Sequence, residues 1–316
     1  MFELLRFLPF IARNRQKRLV LATIVATKGS SYRKTGTQMI IAEDYRFVGQ
    51  LSGGCVEKEV LRQCVYVFAD QASRTFEYDG TYRMGCKGII TVLLEPLSKT
   101  FIEDWRQLLS ESEALREGVR LLISKEAGKF AVAFEARGKQ LHASTLASPE
   151  STREMIIPAR RKLLVIGSEA DAAVLCTTAH ATGFEVVRAV HQHFLSDGME
   201  PYTVLSGSQG DPDILQQIDR RTAIVLMTHS WSHDLIWLSH VLNHEVIYLG
   251  VMGPAQRKEE LVEALISTYD ISHPDLLDSI RGPIGLRISS RTAEEIAISV
   301  VAELIQVFAQ DEKRSL

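Results

Sequence analysis

The chain has 316 residues, enough for two globular cores, and its 46% apolar and 24% charged residues exclude a mainly disordered or collagen-like protein. A formal charge of −3 with no long Lys/Arg run lacks the electrostatic footprint of nucleic-acid binding. No apolar run reaches the ~18 to 20 residues of a membrane span, the N-terminus lacks a signal-peptide pattern, and Cys55, Cys64, Cys86 and Cys176 form no secreted-domain framework, so a cytoplasmic protein with reduced thiols is expected.

In chain order, residues 2 to 15 read as an amphipathic helix. The β-branched run Leu19 to Thr27 reads as a buried strand, ended by the turn Lys28-Gly29-Ser30-Ser31. A hairpin of 38–42 with 46–48 leads into Leu51-Ser52-Gly53-Gly54-Cys55-Val56-Glu57, and a helix follows from Val56 to Ala69. Cys55 is therefore expected where a loop becomes a helix. Strands at 74–78 and 89–94 flank a Gly-rich loop, 79–88, that holds Gly85 and Cys86. Residues 99–157 read as an extension with a helix (105–116), strands at 119–124 and 130–135, and a polar linker at 148–153.

Beyond residue 157 the pattern alternates: strand 162–166, helix 170–182, strands 185–189 and 223–227, helix 231–242, strand 246–249. Such alternation predicts a parallel sheet with crossover helices. The final helix, 293–308, opens on a capping box from Thr292 and Glu295. The expected fold is α/β, with an N-terminal mixed α/β domain (1–98), the extension (99–157) and a Rossmann-like parallel-sheet domain (158–316).

Gly167-Ser168-Glu169-Ala170 stands where a Rossmann domain turns around a dinucleotide pyrophosphate. Glu169 places a carboxylate where backbone amides must approach phosphate, and Val187-Arg188-Ala189-Val190-His191 lacks the ribose-binding acid. Both features argue against NAD(P), which a nicotinamide-dependent oxidoreductase, the alternative enzyme reading, would need. His233, His240 and His244 share a helical face but have no third-ligand signature, so no metal site is expected. His229 ends a parallel strand, the edge at which open α/β sheets place ligands.

Three N-terminal segments gather Gly, small polar and basic residues after strands: 29–36 with Arg33 and Lys34, 52–55, and 83–88 with Arg83 and Lys87. Gly-rich turns at helix starts expose N–H groups that attract anions, so a phosphate-bearing ligand is expected. The same field favours thiolate at Cys55, which is either a reactive thiol or a small packed residue.

In order, G-S-S-Y-R-K-T-G-T-Q-M, G-Q-L-S-G-G-C-V-E and M-G-C-K-G resemble the first domain of the xanthine dehydrogenase accessory factor family, XdhC/CoxI. T-H-S-W-S-H-D, Y-L-G-V-M-G-P-A-Q-R-K, G-P-I-G-L and T-A-E-E-I-A-I-S-V-V-A-E-L resemble its second. The resemblance implies a non-catalytic chaperone that binds molybdenum cofactor transiently. Such a protein protects the cofactor while a cysteine desulfurase supplies its terminal sulfur, then delivers it to a xanthine dehydrogenase-type molybdenum hydroxylase; a homodimer is expected. Carried over by position, the cofactor-binding residues are Ser30, Arg33, Gly36, Gly53, Gly54, Cys55, Glu57, Gly85 and Cys86, then His229, Asp234, Gly250, Gly253, Arg257 and Lys258. Gly167, Pro283 and Gly285 also match, whereas Ser168-Glu169-Ala170, Ser289 and Ala293 depart from the family pattern.

Overall fold

Pro9 has no N–H to give the Leu5 carbonyl, which interrupts the helical ladder. The computed structural model accordingly opens with two short helices, α1 (Phe2–Leu5) and α2 (Phe7–Arg13), in place of the single expected one. It describes residues 1–31, 33–80, 88–191, 198–269 and 274–314, arranged as two units, Met1–Ala159 and Arg160–Leu316.

The first unit continues with β1 (Leu19–Gly29), β2 (Gln38–Ala42), β3 (Phe47–Gly49), α3 (Cys55–Asp70), β4 (Arg74–Asp79) and β5 (Gly88–Leu97). These strands form one antiparallel sheet in the order β3-β2-β1-β5-β4. Val56, Val60, Cys64 and Val67 recur at helical spacing along α3 and pack on Val20, Ala22 and Ile24 of β1. Then come α4 (Lys99–Ala114), β6 (Val119–Glu126), β7 (Lys129–Ala136), β8 (Lys139–His142) and β9 (Ser151–Ile157).

The helix α4 starts earlier than the apolar pattern indicated because the Ser98 hydroxyl accepts the Phe101 N–H at 3.1 Å and caps it. The second half of the polar segment read as a linker, residues 151–153, opens β9, which pairs with β6 in a second antiparallel sheet, β8-β7-β6-β9. Trp105 and Leu109 of α4, Phe134 of β7 and Leu21 of β1 lie in one core, so residues 99–157 close over the free face of the first sheet.

The second unit holds β10 (Lys162–Ile166), α5 (Ala170–Ala181), β11 (Glu185–His191), β12 (Thr203–Gly207), α6 (Pro212–Leu215), β13 (Thr222–Leu226), α7 (Trp231–Val241), β14 (Tyr248–Val251), α8 (Ala255–Thr268), β15 (Ile280–Arg281) and α9 (Ala293–Arg314). The strands are all parallel in the order β12-β11-β10-β13-β14-β15, the doubly wound arrangement of a Rossmann-type sheet. Helices α7 and α8 cover one face, and α5 and α9 the other. The chain reverses direction across the sheet between β10 and β13, which puts the loops after both strands at the switch point where such sheets take ligands.

One buried charge in the first unit has a measurable consequence. Glu95 of β5 is fully buried and accepts hydrogen bonds from the Ser144 hydroxyl and, at 3.3 Å, the Val132 N–H. Burial pushes its carboxyl from 4.5 up to about 7 against these bonds. The folded chain then holds the proton more tightly than the unfolded chain, so stability falls as pH rises through that interval. Glu95→Gln is expected to exceed the parent in stability by up to about 3 kcal/mol at pH 8, with the gain falling below about 1 kcal/mol at pH 5. Denaturant unfolding at both pH values checks this, and a gain independent of pH would contradict it.

Candidate functional site

The turn between β3 and α3 is organised by Glu57. Its carboxylate, 5% exposed, accepts the N–H groups of Leu51 (2.9 Å), Ser52 (2.6 Å) and Gly54 (2.9 Å) and the Ser52 hydroxyl (2.6 Å). The Ser52 oxygen in turn accepts from Gly54 and Val56, both at 3.2 Å. Burial alone would raise the Glu57 pKa, but the Ser52 hydroxyl and the surrounding N–H groups outweigh it and hold the carboxyl below its usual value.

Three donors that an anion-binding turn would offer are thus engaged by the chain's own carboxylate. Gly54, at φ +114°, lies in the left-handed region that glycine alone enters without strain. A side chain at Gly53 or Gly54 would meet no atom within 4 Å, so the tip of the turn faces open space.

Cys55, the first residue of α3, is free and exposed at this tip. Cys64 and Cys176 are buried, and burial pushes each thiol up to about 12, which leaves them inert as nucleophiles or soft ligands.

Of the neighbouring loop, Ser30 is exposed, and Gly88 approaches its carbonyl so closely that an added Cβ would lie 2.4 Å from it. Arg33 pairs with Glu3 at 3.1 Å and shares a polar cavity of about 130 Å³ with Arg6, Gln38 and Gln50, the last of which leads directly into the turn. Gly36 has a packing role: an added Cβ would lie 2.8 Å from Met155 of β9. Gly85 and Cys86 lie outside the described residues.

In the second unit the matched residues gather at the carboxyl ends of β13 and β14. Asp234, 1% exposed, accepts the Thr228 hydroxyl at 2.6 Å and the Arg257 guanidinium at 2.6 Å, tying the loop after β13 to α7 and α8. Gly253 leaves room for the Arg257 stem, since an added Cβ would lie 2.6 Å from its Cδ, and Gly250 does the same for Ile284 and Tyr248. Lys258 lays its Cβ against Gly282. His229 takes a left-handed φ of +54° and sets its Nε2 2.8 Å from Asp171 Oδ2, with half of its side chain exposed.

Two residues that the sequence reading passed over hold this edge. Glu303 of α9 accepts from the Gly285 N–H (2.6 Å), the Tyr248 hydroxyl (2.8 Å) and Arg281 (3.1 Å), which fixes the Gly-Pro-Ile-Gly segment. Arg188, 2% exposed on β11, donates to the carbonyls of Gly167 (3.0 Å), Ser168 (2.6 Å) and Glu169 (3.0 Å). The turn after β10 is therefore braced from beneath by a guanidinium. Its signal in the sequence was a lone cation within the apolar run Val186 to Val190.

A crevice of about 330 Å³ opens beside that turn, lined by Ser168, Glu169, His191, Thr228, His233 and Trp237 among others. The His191 and His233 rings lie parallel within 7°, their centroids 6.1 Å apart. Among the described residues no three His, Cys, Asp or Glu side chains are grouped to hold a metal ion.

Comparison with known proteins fits this architecture. Residues 163–304 match the profile of the XdhC Rossmann domain, and residues 12–79 that of the XdhC and CoxI family. A probable xanthine dehydrogenase subunit of Bacillus subtilis (strain 168) is 30% identical over 318 residues, covering 92% of this chain and 93% of that one. The molybdenum cofactor insertion chaperone PaoD of Escherichia coli (strain K12) is 25% identical over 95% of this chain and 86% of its own. The crystal structure of a xanthine dehydrogenase from Bacillus halodurans superposes with a TM-score of 0.79 at 26% identity, covering 98% of this chain and 96% of that one.

Removing the Glu57 carboxylate leaves the buried N–H groups of Leu51 and Ser52 without acceptors. Glu57→Ala is expected to cost about 3 kcal/mol, whereas Cys55→Ala changes stability by less than about 0.5 kcal/mol; urea unfolding of both variants compares them. With a carboxylate at Glu169, neither NAD nor NADP is expected to raise the melting temperature. Stabilisation near the ~2.7 kcal/mol of a ligand at 100 times its Kd would contradict this.

Proposed function

The chain belongs to the XdhC and CoxI family, and from that premise we propose that it is a non-catalytic maturation factor that binds molybdenum cofactor and delivers it to a xanthine dehydrogenase-type molybdenum hydroxylase. In this reading the protein holds the cofactor while a cysteine desulfurase renews its terminal sulfur, works in the cytoplasm and acts as a homodimer. The role of the relative PaoD, insertion of molybdenum cofactor, supports the reading. Among the described residues no helix is long and apolar enough to cross a membrane.

The observation that carries the proposal is the exposed thiol of Cys55 on a turn whose shape is fixed by Glu57. The donor chemistry fits the cargo, because a thiolate is a sulfur donor and the metal of the cofactor carries a terminal sulfur. Gly53 and Gly54 leave the approach open, and Glu57 keeps the turn from collapsing over the thiol.

Arg33 sits in a half-exposed pair with Glu3, a contact worth little in water, and can exchange it for the pterin phosphate. Ser30, Gly36 and the segment with Gly85 and Cys86 belong to the same proposed site. Asp234, Gly250, Gly253, Arg257 and Lys258 shape the sheet edge of the second unit, with His229 at its exposed rim.

Anaerobic titration of the purified protein with molybdenum cofactor tests the role of the thiol. Cys55→Ala is expected to weaken binding by about tenfold or more, the loss of one strong contact. Equal binding by the two proteins would remove Cys55 from the site.

A further inference from the structure

The first unit carries a second polar cavity at the end of α3 remote from the Gly-Gly-Cys turn. Gln71, which caps the C-terminus of α3, lines it. Because α3 has 16 residues, roughly 24 Å of helix separate this cavity from Cys55. Its volume of about 430 Å³ lies within the range of small-molecule sites.

The lining is divided by chemistry. Ile102 supplies a partly exposed aliphatic surface, with buried Ile11, Leu19 and Leu97 behind it. Arg15, Lys17, Arg18, Lys99 and Arg106 supply positive charge, opposed within the lining by Glu103. Three of these cations are already paired: Lys17 with Asp44 (2.5 Å), Arg18 with Glu43 (2.9 Å) and Arg106 with Glu103 (2.9 Å). Arg15 and Lys99 have no ion-pair partner among the described residues. They come from segments more than eighty positions apart, so the fold, not local sequence, gathers them.

Unbalanced cations sharing a concave surface raise its potential and repel one another, and a bound anion relieves both effects. The start of α4 adds to the field, since its first turn contains no acid and begins with Lys99 itself, opposite to the preference of a helix dipole. Among the described residues no aromatic side chain lines the cavity, so a nucleobase has no ring to stack on. Guanidinium and ammonium groups above an aliphatic floor suit a phosphoryl group carried on a small carbon skeleton.

We propose that this cavity binds a small phosphoryl-bearing anion, with Arg15 and Lys99 on the phosphate and the aliphatic floor beneath the carbon body. The site is separate from the Gly-Gly-Cys turn and does not depend on the role assigned to Cys55.

The full chain is titrated calorimetrically with glycerol 3-phosphate, inorganic phosphate and a short polyglutamate peptide in low-salt buffer. Glycerol 3-phosphate is expected to bind at one site per chain. A double variant, Arg15→Gln with Lys99→Gln, is expected to bind about tenfold more weakly or worse, while Cys55→Ala binds as the parent does. Both substituted side chains are exposed, so an unchanged melting temperature certifies the fold of the double variant. Tighter binding of the ester than of free phosphate assigns a carried phosphate, and equal binding supports the same site with free phosphate as its source. Absence of saturable binding by either phosphate, unchanged affinity in the double variant, or a clear preference for polyglutamate would each overturn the proposal.

Discussion

A carboxylate withdrawn from water is tolerated only when its oxygens find donors, and Glu57 finds them in the backbone of the turn that precedes it. That bond set fixes the path of residues 51 to 54, starts α3 at Cys55 and leaves the thiol exposed. The arrangement resembles half of a capping box, with the N3 acid reaching back to the N-cap amide, extended by two further donors from Leu51 and Ser52. A turn with free amides would attract anions indiscriminately. This one has its charge supplied internally, which shifts its chemistry from anion capture towards presentation of a single sulfur.

The second unit uses its buried polar groups in the same way. Asp234, Glu303 and Arg188 each draw two or three groups to one charged side chain, and each reaches a loop that follows a strand of the parallel sheet. Charge-assisted hydrogen bonds are strong where water is excluded, so these three side chains hold the loops after β10, β13 and β15. Arg188 also braces the turn after β10 through its three carbonyls. Glu169 stands exposed at the N-cap position of α5.

Much of the architecture was legible in the sequence. The runs at 19–27 and 162–166 became buried strands because β-branched and aliphatic residues dominate them, and α3 followed from Val56, Val60 and Val67 at helical spacing. The misreadings occurred where a pattern was short or polar. β9 is exposed along most of its length, and its first three residues read as part of a linker until β6 is there to pair with them. β12, α6 and β15 have between two and five residues each, too few for any period to emerge. At the site, residue types and order marked Gly53, Gly54 and Cys55, but the bonds that engage the turn amides depend on where Glu57 folds back. Arg188 and Glu303 acquire their roles only through partners 18 to 55 positions away, contacts that no local window contains.

Differential alkylation tests whether Cys55 presents its thiol to the cofactor. Purified protein is treated anaerobically with iodoacetamide, with and without a stoichiometric amount of molybdenum cofactor, and each cysteine is followed by peptide mass spectrometry. Cys55 is expected to be modified rapidly in the free protein and protected by the cofactor, with no modification of buried Cys64 or Cys176 in either case. Modification of Cys55 at the same rate with and without cofactor would contradict this.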